Sequence, residues 1–555
     1  MKQRSFFSTL LITVLMLLVS GFLRFSALAE PPLPPIAPEK PVLDPVTAIF
    51  ISRQAPVVAS LLVHPDRLDE LPQAIPPGEQ AAPIRAAVQA FKQDLLAGTG
   101  LTYGDLRPWI GDEITFAMTS IDLDRDLKNG AQPGYLTVVA VRNSQLAREA
   151  LTRFWKTRSS AGFPPVSESY QGVTLTYGKS KASVSSVFAP ATALVGNQFV
   201  LFANSPHVLK QAINHVQAPE MALAEASFYD RALKSLSEER VGFVFVNLPR
   251  LSRWLGRPLE TPPDLTDTGL AIGIDLRPQG LRLETALLTE PKSAAQPSLD
   301  LTQPVHALQY LPATSLFTVS GTDLPNLLTR LQELVPDRGL FADLDRQLIK
   351  NFQQQWGDDL PWKLTDLFHG EYAFGILAPS DLNHLDWVLV APQSPETDQA
   401  IQELDELGQH QGFQAGTVTV GDRAVSAWTR ISTAPESSSG ELTTQLQGLY
   451  TQLDKDVIFA NSATGMEAAL QASNHSLLTQ PGFSAGVKSF THPALGYFYG
   501  NLAQARAVLA EQFPVLKLVE WVAGSWLDRL ELITASGDES QEGVVKAQIF
   551  VTLQE

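Results

Sequence analysis

The sequence predicts an α+β fold that consists of two tandem pseudo-repeats, each a mainly antiparallel sheet with packed helices. The first observation is a tetrapeptide, Phe-Ala-Asn-Ser, that occurs at 202–205 and again at 459–462. The second is a pair of alternating apolar runs, 269–276 and 281–288, around a short polar turn, which is typical of a β-hairpin. The third is that segments with apolar residues at three-to-four spacing, typical of helices, separate such runs without a regular βαβ rhythm.

Helical and strand patterns occur in both halves of the chain. The spacing predicts helices over four segments, which are Ile84–Leu96, Leu146–Trp155, Thr397–Leu407 and Ala503–Phe513. A second hairpin closes the chain, with alternating runs at Leu530–Ser536 and Val544–Leu553. This alternation predicts that one sheet face packs on helices and the other faces solvent or the partner repeat.

Other landmarks keep nearly the spacing of the tetrapeptide, 257 residues, and the same order along the chain. They are Ser60-Leu61-Leu62 with Ser315-Leu316-Phe317, Asp66-Arg67-Leu68 with Asp323-Leu324-Pro325, Asn247-Leu248 with Asn501-Leu502 and, more loosely, Gly111–Ile114 with Gly370–Ala373. Self-similarity at a fixed spacing indicates repeated structural units. We therefore expect a first α+β repeat at 46–290, a linker at 291–306 and a second α+β repeat at 307–555.

The first 29 residues have the features of an export signal. Two basic residues, Lys2 and Arg4, precede an apolar run at 6–23, and Ala27-Leu28-Ala29 supplies small residues where a signal peptidase cleaves. Cleavage after this tripeptide is one interpretation, and an uncleaved signal anchor is the other, since about 18 apolar residues can just cross a bilayer. In both cases the body of the chain lies outside the cytoplasm, behind a Pro-rich leader at 30–45.

The composition excludes several classes of protein. The 555 residues are 44% hydrophobic and 18% charged, which is the balance of a globular chain rather than of a disordered or multi-span membrane protein. The absence of cysteine excludes disulfides, thiolate metal sites and cysteine nucleophiles. A net charge of −17 argues against a nucleic-acid partner, because binding to phosphates requires a basic surface.

Five segments of the chain are similar to a known family: 55–63 (APVVASLLV), 105–113 (DLRPWIGDE), 122–126 (DLDRD), 129–130 (NG) and 132–136 (QPGYL). They resemble the cyanobacterial branch of the domain-of-unknown-function family numbered 3352, over nearly the whole chain after the signal. The resemblance implies an exported protein of a photosynthetic bacterium, located in the periplasm or the thylakoid lumen. It implies no activity, cofactor or catalytic residue.

The most suggestive candidate for a metal site is the run of Asp122, Asp124 and Asp126, followed by Asn129-Gly130. Alternating carboxylates in a loop suit calcium, which binds several oxygen ligands at once. The run departs from the EF-hand pattern, because leucine and proline stand at the positions of the invariant glycine and the final glutamate. The alternative is a solvated turn between two strands, with Asn-Gly supplying a positive φ.

Two further patterns match catalytic sites only in part. Asp112-Glu113 beside Trp109 suggests a carboxylate pair at a carbohydrate site, but adjacent strand residues point to opposite faces. The alternative is the start of an acidic strand, with the tryptophan in the core. Gly482–Gly486 is a Gly-x-Ser-x-Gly motif centred on Ser484, but it lacks the preceding strand of a nucleophile elbow, which favours a flexible turn.

Two longer segments are ambiguous. Gly172–Ser180 resembles a phosphate-binding loop, but it is one residue too long and runs through a strand-like segment. Residues 513–530 are apolar with few charges, and we favour packing in a core or between domains over docking on a membrane or a partner.

These observations predict an exported, non-enzymatic protein that acts as a scaffold, an assembly factor or a binding protein, with a protein partner in the periplasm or thylakoid lumen. The alternative is a carrier of an apolar ligand, a lipid or a pigment, in a cavity or in a cleft between the repeats. A hydrolase of envelope polymers is a second alternative, so enzymatic activity stays an open question. Membrane contact is expected only through residues 6–23. Calcium is the one cofactor that the sequence suggests. The oligomeric state stays open.

Overall fold

The computed structural model describes residues 44–69, 102–123, 132–160, 164–178, 190–238, 240–254, 269–277, 280–288, 301, 303–323, 369–378, 385–433, 442–490, 496–505, 530–537 and 543–553. These residues divide into two compact units. One is drawn from 44–288 and 543–547, and the other from 301–537 and 548–553. The predicted signal and residues 30–43 of the predicted leader lie outside the described residues. Among the described residues, no helix has the length and apolarity needed to cross a bilayer.

The first unit contains an antiparallel sheet and the helices that pack on it. Its strands are β1 (Val57–Leu61), β2 (Ile110–Ser120), β3 (Gly134–Val141), β4 (Pro165–Tyr170), β5 (Val173–Gly178), β6 (Ala191–Val195), β7 (Phe199–Ala203), β8 (Gly242–Asn247), β9 (Gly269–Arg277) and β10 (Gly280–Leu288). Its helices are α1 (Tyr103–Leu106), α2 (Ser144–Ser160), α3 (Pro206–Gln217), α4 (Ser227–Lys234) and α5 (Leu248–Trp254), with 3₁₀ helices at Val46–Phe50, Pro65–Asp69, Pro219–Met221 and Leu223–Glu225. The strand order is β4-β5-β6-β7-β3-β2-β1-β8-β9-β10.

The second unit is also an antiparallel sheet with helices. Its strands are β11 (Ser315–Asp323), β12 (His369–Leu377), β13 (Trp387–Pro392), β14 (Phe413–Val420), β15 (Arg423–Thr433), β16 (Leu442–Leu453), β17 (Asp456–Ala460), β18 (Gly496–Asn501), β19 (Leu530–Gly537) and β20 (Val544–Leu553), of which residues 548–553 belong to this unit. Its helices are α6 (Pro395–His410), α7 (Ala463–Gln471) and α8 (Pro481–Ser489), with 3₁₀ helices at His306–Tyr310, Ala472–Asn474 and Leu477–Thr479. The strand order is β14-β15-β16-β17-β13-β12-β11-β18-β19-β20.

The two sheets have the same strand order when β1 is matched with β11, β2 with β12 and so on to β10 with β20. The helices follow the same rule. A helix follows β3 and β13, another follows β7 and β17, and a third precedes β8 and β18. The prediction of an α+β fold with mainly antiparallel sheets is therefore confirmed for the described residues.

Helices pack on both faces of each sheet, so the prediction of a single helix-covered face is wrong. In the first unit α3 packs with Val138 and Leu201, whereas α2 packs with Val139 and Val200, and adjacent strand residues point to opposite faces. In the second unit α7 and α8 likewise pack on one face and α6 on the other.

Aromatic contacts of the same kind hold one helix of each unit against its sheet. In the first unit the ring of Tyr229 on α4 lies edge-on to Phe243 and Phe245 of β8, with ring centroids 5.7 and 5.4 Å apart. In the second unit Phe483 on α8 lies edge-on to two tyrosines of β18, at 6.3 and 6.0 Å. Edge-to-face pairs add to the stability that comes from burying the rings. Aromatic side chains thus hold α4 and α8 against their sheets.

Most of the predicted segments lie within observed elements. The hairpin at 269–288 is β9 and β10, paired from Gly269 opposite Leu288 to Arg277 opposite Gly280. The predicted helices 146–155 and 397–407 lie within α2 and α6. The predicted helix 84–96 lies outside the described residues, as does most of 503–513.

Candidate functional site

One of the three predicted calcium ligands, Asp122, lies at the base of the loop between β2 and β3. Its Oδ1 accepts a hydrogen bond from the Gln132 N–H at 3.2 Å, and its carbonyl accepts one from the Ser120 hydroxyl at 2.8 Å. These bonds close the base of the loop. Asp124 and Asp126 lie outside the described residues, so calcium binding stays a prediction. In the part of the chain that the structure describes, no three metal-binding side chains converge.

The acidic pair Asp112-Glu113 is split between the two faces of β2. Asp112 is half-buried, whereas Glu113 is 1% exposed. The Glu113 carboxylate accepts hydrogen bonds from the Val46 N–H at 3.0 Å, the Thr47 N–H at 3.0 Å and the Thr47 hydroxyl at 2.6 Å. It therefore caps the N-terminus of the 3₁₀ helix Val46–Phe50. Trp109 is buried and donates its indole N–H to the Asp105 carbonyl, so it is a core residue.

The surroundings of Glu113 form a small buried polar network. Burial raises the pKa of the Glu113 carboxyl, and the hydrogen bonds from Thr47, Val46 and Thr115 act in the opposite direction. The Thr115 hydroxyl lies 2.7 Å from that of Ser60 on the neighbouring strand. A raised pKa in a polar cluster is one signal of a functional site, but here each partner is a hydrogen-bond donor within the same unit. The cluster joins the 3₁₀ helix, β1 and β2.

The second unit repeats this contact. Glu371 on β12 accepts a hydrogen bond from the His306 N–H at 2.8 Å, at the first residue of the 3₁₀ helix His306–Tyr310. A glutamate from the second strand thus holds the first helical turn in both units.

The first copy of the repeated tetrapeptide clamps the start of a neighbouring strand. Asn204 accepts a hydrogen bond from the Tyr135 N–H at 2.9 Å and donates its amide N–H to the Pro133 carbonyl at 2.8 Å. Both groups belong to the segment that enters β3, about 70 residues earlier in the sequence. The asparagine therefore fixes a loop by satisfying two backbone groups at once.

The second copy makes the same contacts. Asn461 accepts a hydrogen bond from the Trp387 N–H at 2.8 Å and donates to the Leu385 carbonyl at 2.9 Å. The serine that follows each asparagine caps a helix: Ser205 accepts an N–H of the first turn of α3, and Ser462 one of the first turn of α7. The motif that sequence comparison singled out is thus a structural element.

The Gly-x-Ser-x-Gly motif lies inside a helix, so the prediction of a flexible turn is wrong. Residues 481–489 form α8, and Ser484 lies in its first half. A Cβ atom on Gly486 would lie 2.6 Å from the Thr534 Cβ on β19, which is closer than packed carbons approach. The glycines let the helix approach the strand. A nucleophile elbow requires a strand-to-helix turn at the serine, and this motif has none.

The two ambiguous segments are only partly described. Gln171 and Gly172, with φ of 48° and 78°, form the tight turn between β4 and β5, which accounts for the glycine without a phosphate. The end of that segment, 179–180, and residues 513–529 lie outside the described residues.

Several buried charged side chains line a recess of the first sheet, at β9 and β10. The recess is lined by Ser237, Arg240, Gly273, Asp275, Arg282 and Glu284. Arg282 is 3% exposed and lies opposite Asp275 across β9 and β10, with 3.0 Å between Nη2 and Oδ2. Arg240 is 7% exposed and binds Asp44 at 2.7 Å. A buried charge is retained at low cost only when it is paired.

The recess is tied together by bonds within the unit. The Glu284 carboxylate accepts the Ser237 N–H at 2.8 Å, and Arg240 donates to the Ser237 carbonyl at 2.8 Å. These contacts hold the loop after α4 against β10. The cavity volume of about 10 Å³ is far below the roughly 300–1,000 Å³ of ligand pockets. Sequence reasoning missed this cluster, although charged residues at alternate positions of the hairpin, from Asp275 to Glu284, are a signal that could have found it.

Comparisons with known proteins identify a family and no activity. None of the curated proteins compared with this chain matches it. Among solved structures, a chain described as "Structure of crystal form I of TP0453" matches with 11% identity and a TM-score of 0.23. The match covers 45% of this chain and 81% of the other, and a likeness of this size carries no argument. The family model described as "Protein of unknown function (DUF3352)" matches residues 10–553, and the chain therefore belongs to this family.

Proposed function

We propose that the protein is an exported, non-enzymatic scaffold or binding protein built from two tandem copies of one α+β unit. The shared strand order supports the duplication. So do the matching hydrogen bonds that Asn204 and Asn461 make, each in its own unit, and those that Glu113 and Glu371 make. Asn247 and Asn501 add a third pair, since each accepts the N–H of the residue three positions later.

One observation carries this proposal. The polar side chains that occur at equivalent places in both units bind backbone groups of their own unit. Residues that bind substrate or move protons need a face directed at the substrate. Side chains that are hydrogen-bonded to loops and helix ends stabilise the fold instead. We infer that the repeated feature of this protein is its shape rather than a reaction centre.

The alternatives have less support. A lipid or pigment carrier needs a cavity much larger than the recess at β9 and β10, which has a volume of about 10 Å³ in the part of the chain that the structure describes. A hydrolase based on Ser484 needs a serine on a strand-to-helix turn, and this serine lies within a helix.

The proposed location follows from the N-terminal sequence. Residues 1–29 direct export to the periplasm or thylakoid lumen, and 30–45 form a spacer before the repeats. The repeats are 46–290 and 307–555, joined by the linker 291–306. A partner in that compartment is a protein, because the acidic chain disfavours nucleic acid.

Native mass spectrometry of the protein extracted from its host tests this proposal. A mass that contains only polypeptide, as one chain or as a stoichiometric protein complex, is expected. A persistent lipid or pigment adduct would contradict it in favour of a carrier. A calcium increment that is lost on chelation and in Asp124→Asn would establish the loop at 122–126 as a metal site beside the scaffold role.

A further inference from the structure

The outermost strand of the sheet, which is β4 in the first unit and β14 in the second, differs between the two units. Among the described strands, β4 pairs with β5 alone and β14 pairs with β15 alone. Such an edge presents backbone N–H and C=O groups that can pair with another chain, and natural proteins block it with proline, charge or a bulge.

The edge of the first unit is blocked. Its first residue is Pro165, which has no N–H to donate. Glu168 stands in mid-strand and binds Lys210 of α3, with 2.8 Å between Oε1 and Nζ. An incoming strand would therefore meet a missing donor and a fixed pair of charges.

The edge of the second unit has neither device. The strand β14 reads FQAGTVTV, eight residues without a charge or a proline. Residues 414–417 and 419 are exposed. The strand has regular pairing with β15 along its whole length, so no bulge turns it away. In a chain with 99 charged residues, an uncharged exposed edge of this length marks a surface that pairs with another strand.

The register defines which backbone groups face outward. Val420 lies opposite Arg423 across a two-residue turn, so Val420 and every second residue before it bond to β15. The N–H and C=O groups of Ala415, Thr417 and Thr419 consequently point away from the sheet.

We propose that β14 pairs antiparallel with β14 of a second copy of this chain, across a twofold axis at Gly416. Outward-facing residues must meet one another in such a pair, and this register places Ala415 opposite Thr417 of the other copy. Gly416 faces its own equivalent at a non-hydrogen-bonded position, where strands approach most closely. A Cβ at Gly416 would have nothing within 4 Å, so space is left there for the other copy.

Charge and closure favour a second copy over a different protein. A partner strand with charged side chains would find no opposite charge along β14. A second copy of β14 adds no charged side chain to the pair, although the net charge of each chain is −17. Because the equivalent edge β4 is blocked, β14 is the one open edge of these two among the described strands. Pairing of one edge with itself is isologous and stops at two copies, whereas two open edges would extend into a fibre. This inference is independent of the proposed scaffold function.

A cysteine cross-link tests the register. The chain has no cysteine, so Gly416→Cys introduces a single thiol. Its Cα lies about 4.5 Å from that of the other copy in the proposed pair, within the range of a disulfide. With oxidised glutathione, we expect a covalent dimer from Gly416→Cys and none from Val166→Cys, the equivalent position of β4. Equal cross-linking of the two variants, or none at Gly416→Cys, would overturn this register.

Sedimentation velocity of the full chain tests the dimer itself. We expect a dimer at micromolar concentration, a monomer for Thr417→Lys and for Thr417→Pro, and a dimer for Ser167→Lys, the matched change on β4. Both Thr417 changes act on the outward side and leave the β14–β15 bonds in place, which unchanged circular dichroism verifies. A monomeric wild type overturns the inference. Amide protection of β14 in a complex with a different protein from the host would also overturn it and assign the edge to another strand.

Discussion

At the scale of single residues, two kinds of side chain stabilise each unit from within. Asparagines such as Asn204 and Asn461 satisfy backbone groups of distant segments. The carboxylates Glu113 and Glu371 cap 3₁₀ helices. Each contact leaves an unsatisfied backbone group if it is removed, and this makes its contribution measurable.

We expect Asn204→Ala and Asn461→Ala to lower the free energy of unfolding by about 1–3 kcal/mol each, because each change leaves an N–H and a carbonyl without their partner. Denaturant titration measures the loss. Gln399→Ala, on the exposed face of α6, is the control and is expected to change stability by less than about 0.5 kcal/mol. Losses at the two asparagines no larger than that of the control would contradict the clamp.

Glu113 is expected to make stability depend on pH. Burial raises the pKa of this carboxyl above its ordinary value of 4.5, so between that value and the higher pKa the folded state binds the proton better than the unfolded state. The contribution to stability is therefore present at low pH and is lost as the pH rises through the folded-state pKa. Relative to the wild type, Glu113→Gln should become more stable as the pH rises from 4 to 7.

The measurement is a series of denaturant titrations across this pH range. Asp112→Asn removes the same charge from the same strand and separates the effect of Glu113 from that of net charge. A constant difference between wild type and Glu113→Gln at all pH values would show that the carboxyl is not shifted.

At the scale of elements, close packing of α8 on β19 depends on a glycine. Gly486→Ala would place a Cβ 2.6 Å from the Thr534 Cβ, and overpacking of this kind costs about 1–3 kcal/mol. Over most of that range the loss exceeds the gain of about 1 kcal/mol from the helix propensity of alanine. We expect a lower thermal midpoint for Gly486→Ala and little change for Ser484→Ala in the same helix. A stable Gly486→Ala would mean that the strand can move away freely.

The local elements could be predicted because their signals are local. The hairpin of β9 and β10 follows from alternation around a two-residue turn, and α2 and α6 from three-to-four spacing. The strand register could not be predicted. With Asn247 matched to Asn501, the pairing makes Ser60 equivalent to Ser320, since these lie opposite Phe243 and Tyr497. The predicted match of Ser60 with Ser315 is therefore wrong by five residues.

At the scale of the whole molecule, the proposed export signal gives a test that needs no structural information. We expect an intact mass that corresponds to residues 30–555 for the protein isolated from its host, and a larger mass for Ala29→Arg, because a signal peptidase requires a small residue before the cleavage site. A wild-type mass of 60.4 kDa, that of residues 1–555, would support the uncleaved anchor instead.

The sequence by itself determined the α+β class, the β9–β10 hairpin and the helices α2 and α6, because alternation and three-to-four spacing are properties of neighbouring residues. The family followed from the resemblance of five segments to a known family, and the family model confirms it. Tertiary structure decided what the notable residues do. The asparagine of the repeated tetrapeptide binds groups about 70 residues away, and Ser484 lies in a helix that a sheet holds in place. The edge at β14 exists only because strands distant in sequence leave it outermost. Contacts between distant segments depend on how the whole chain packs, and no local pattern encodes them.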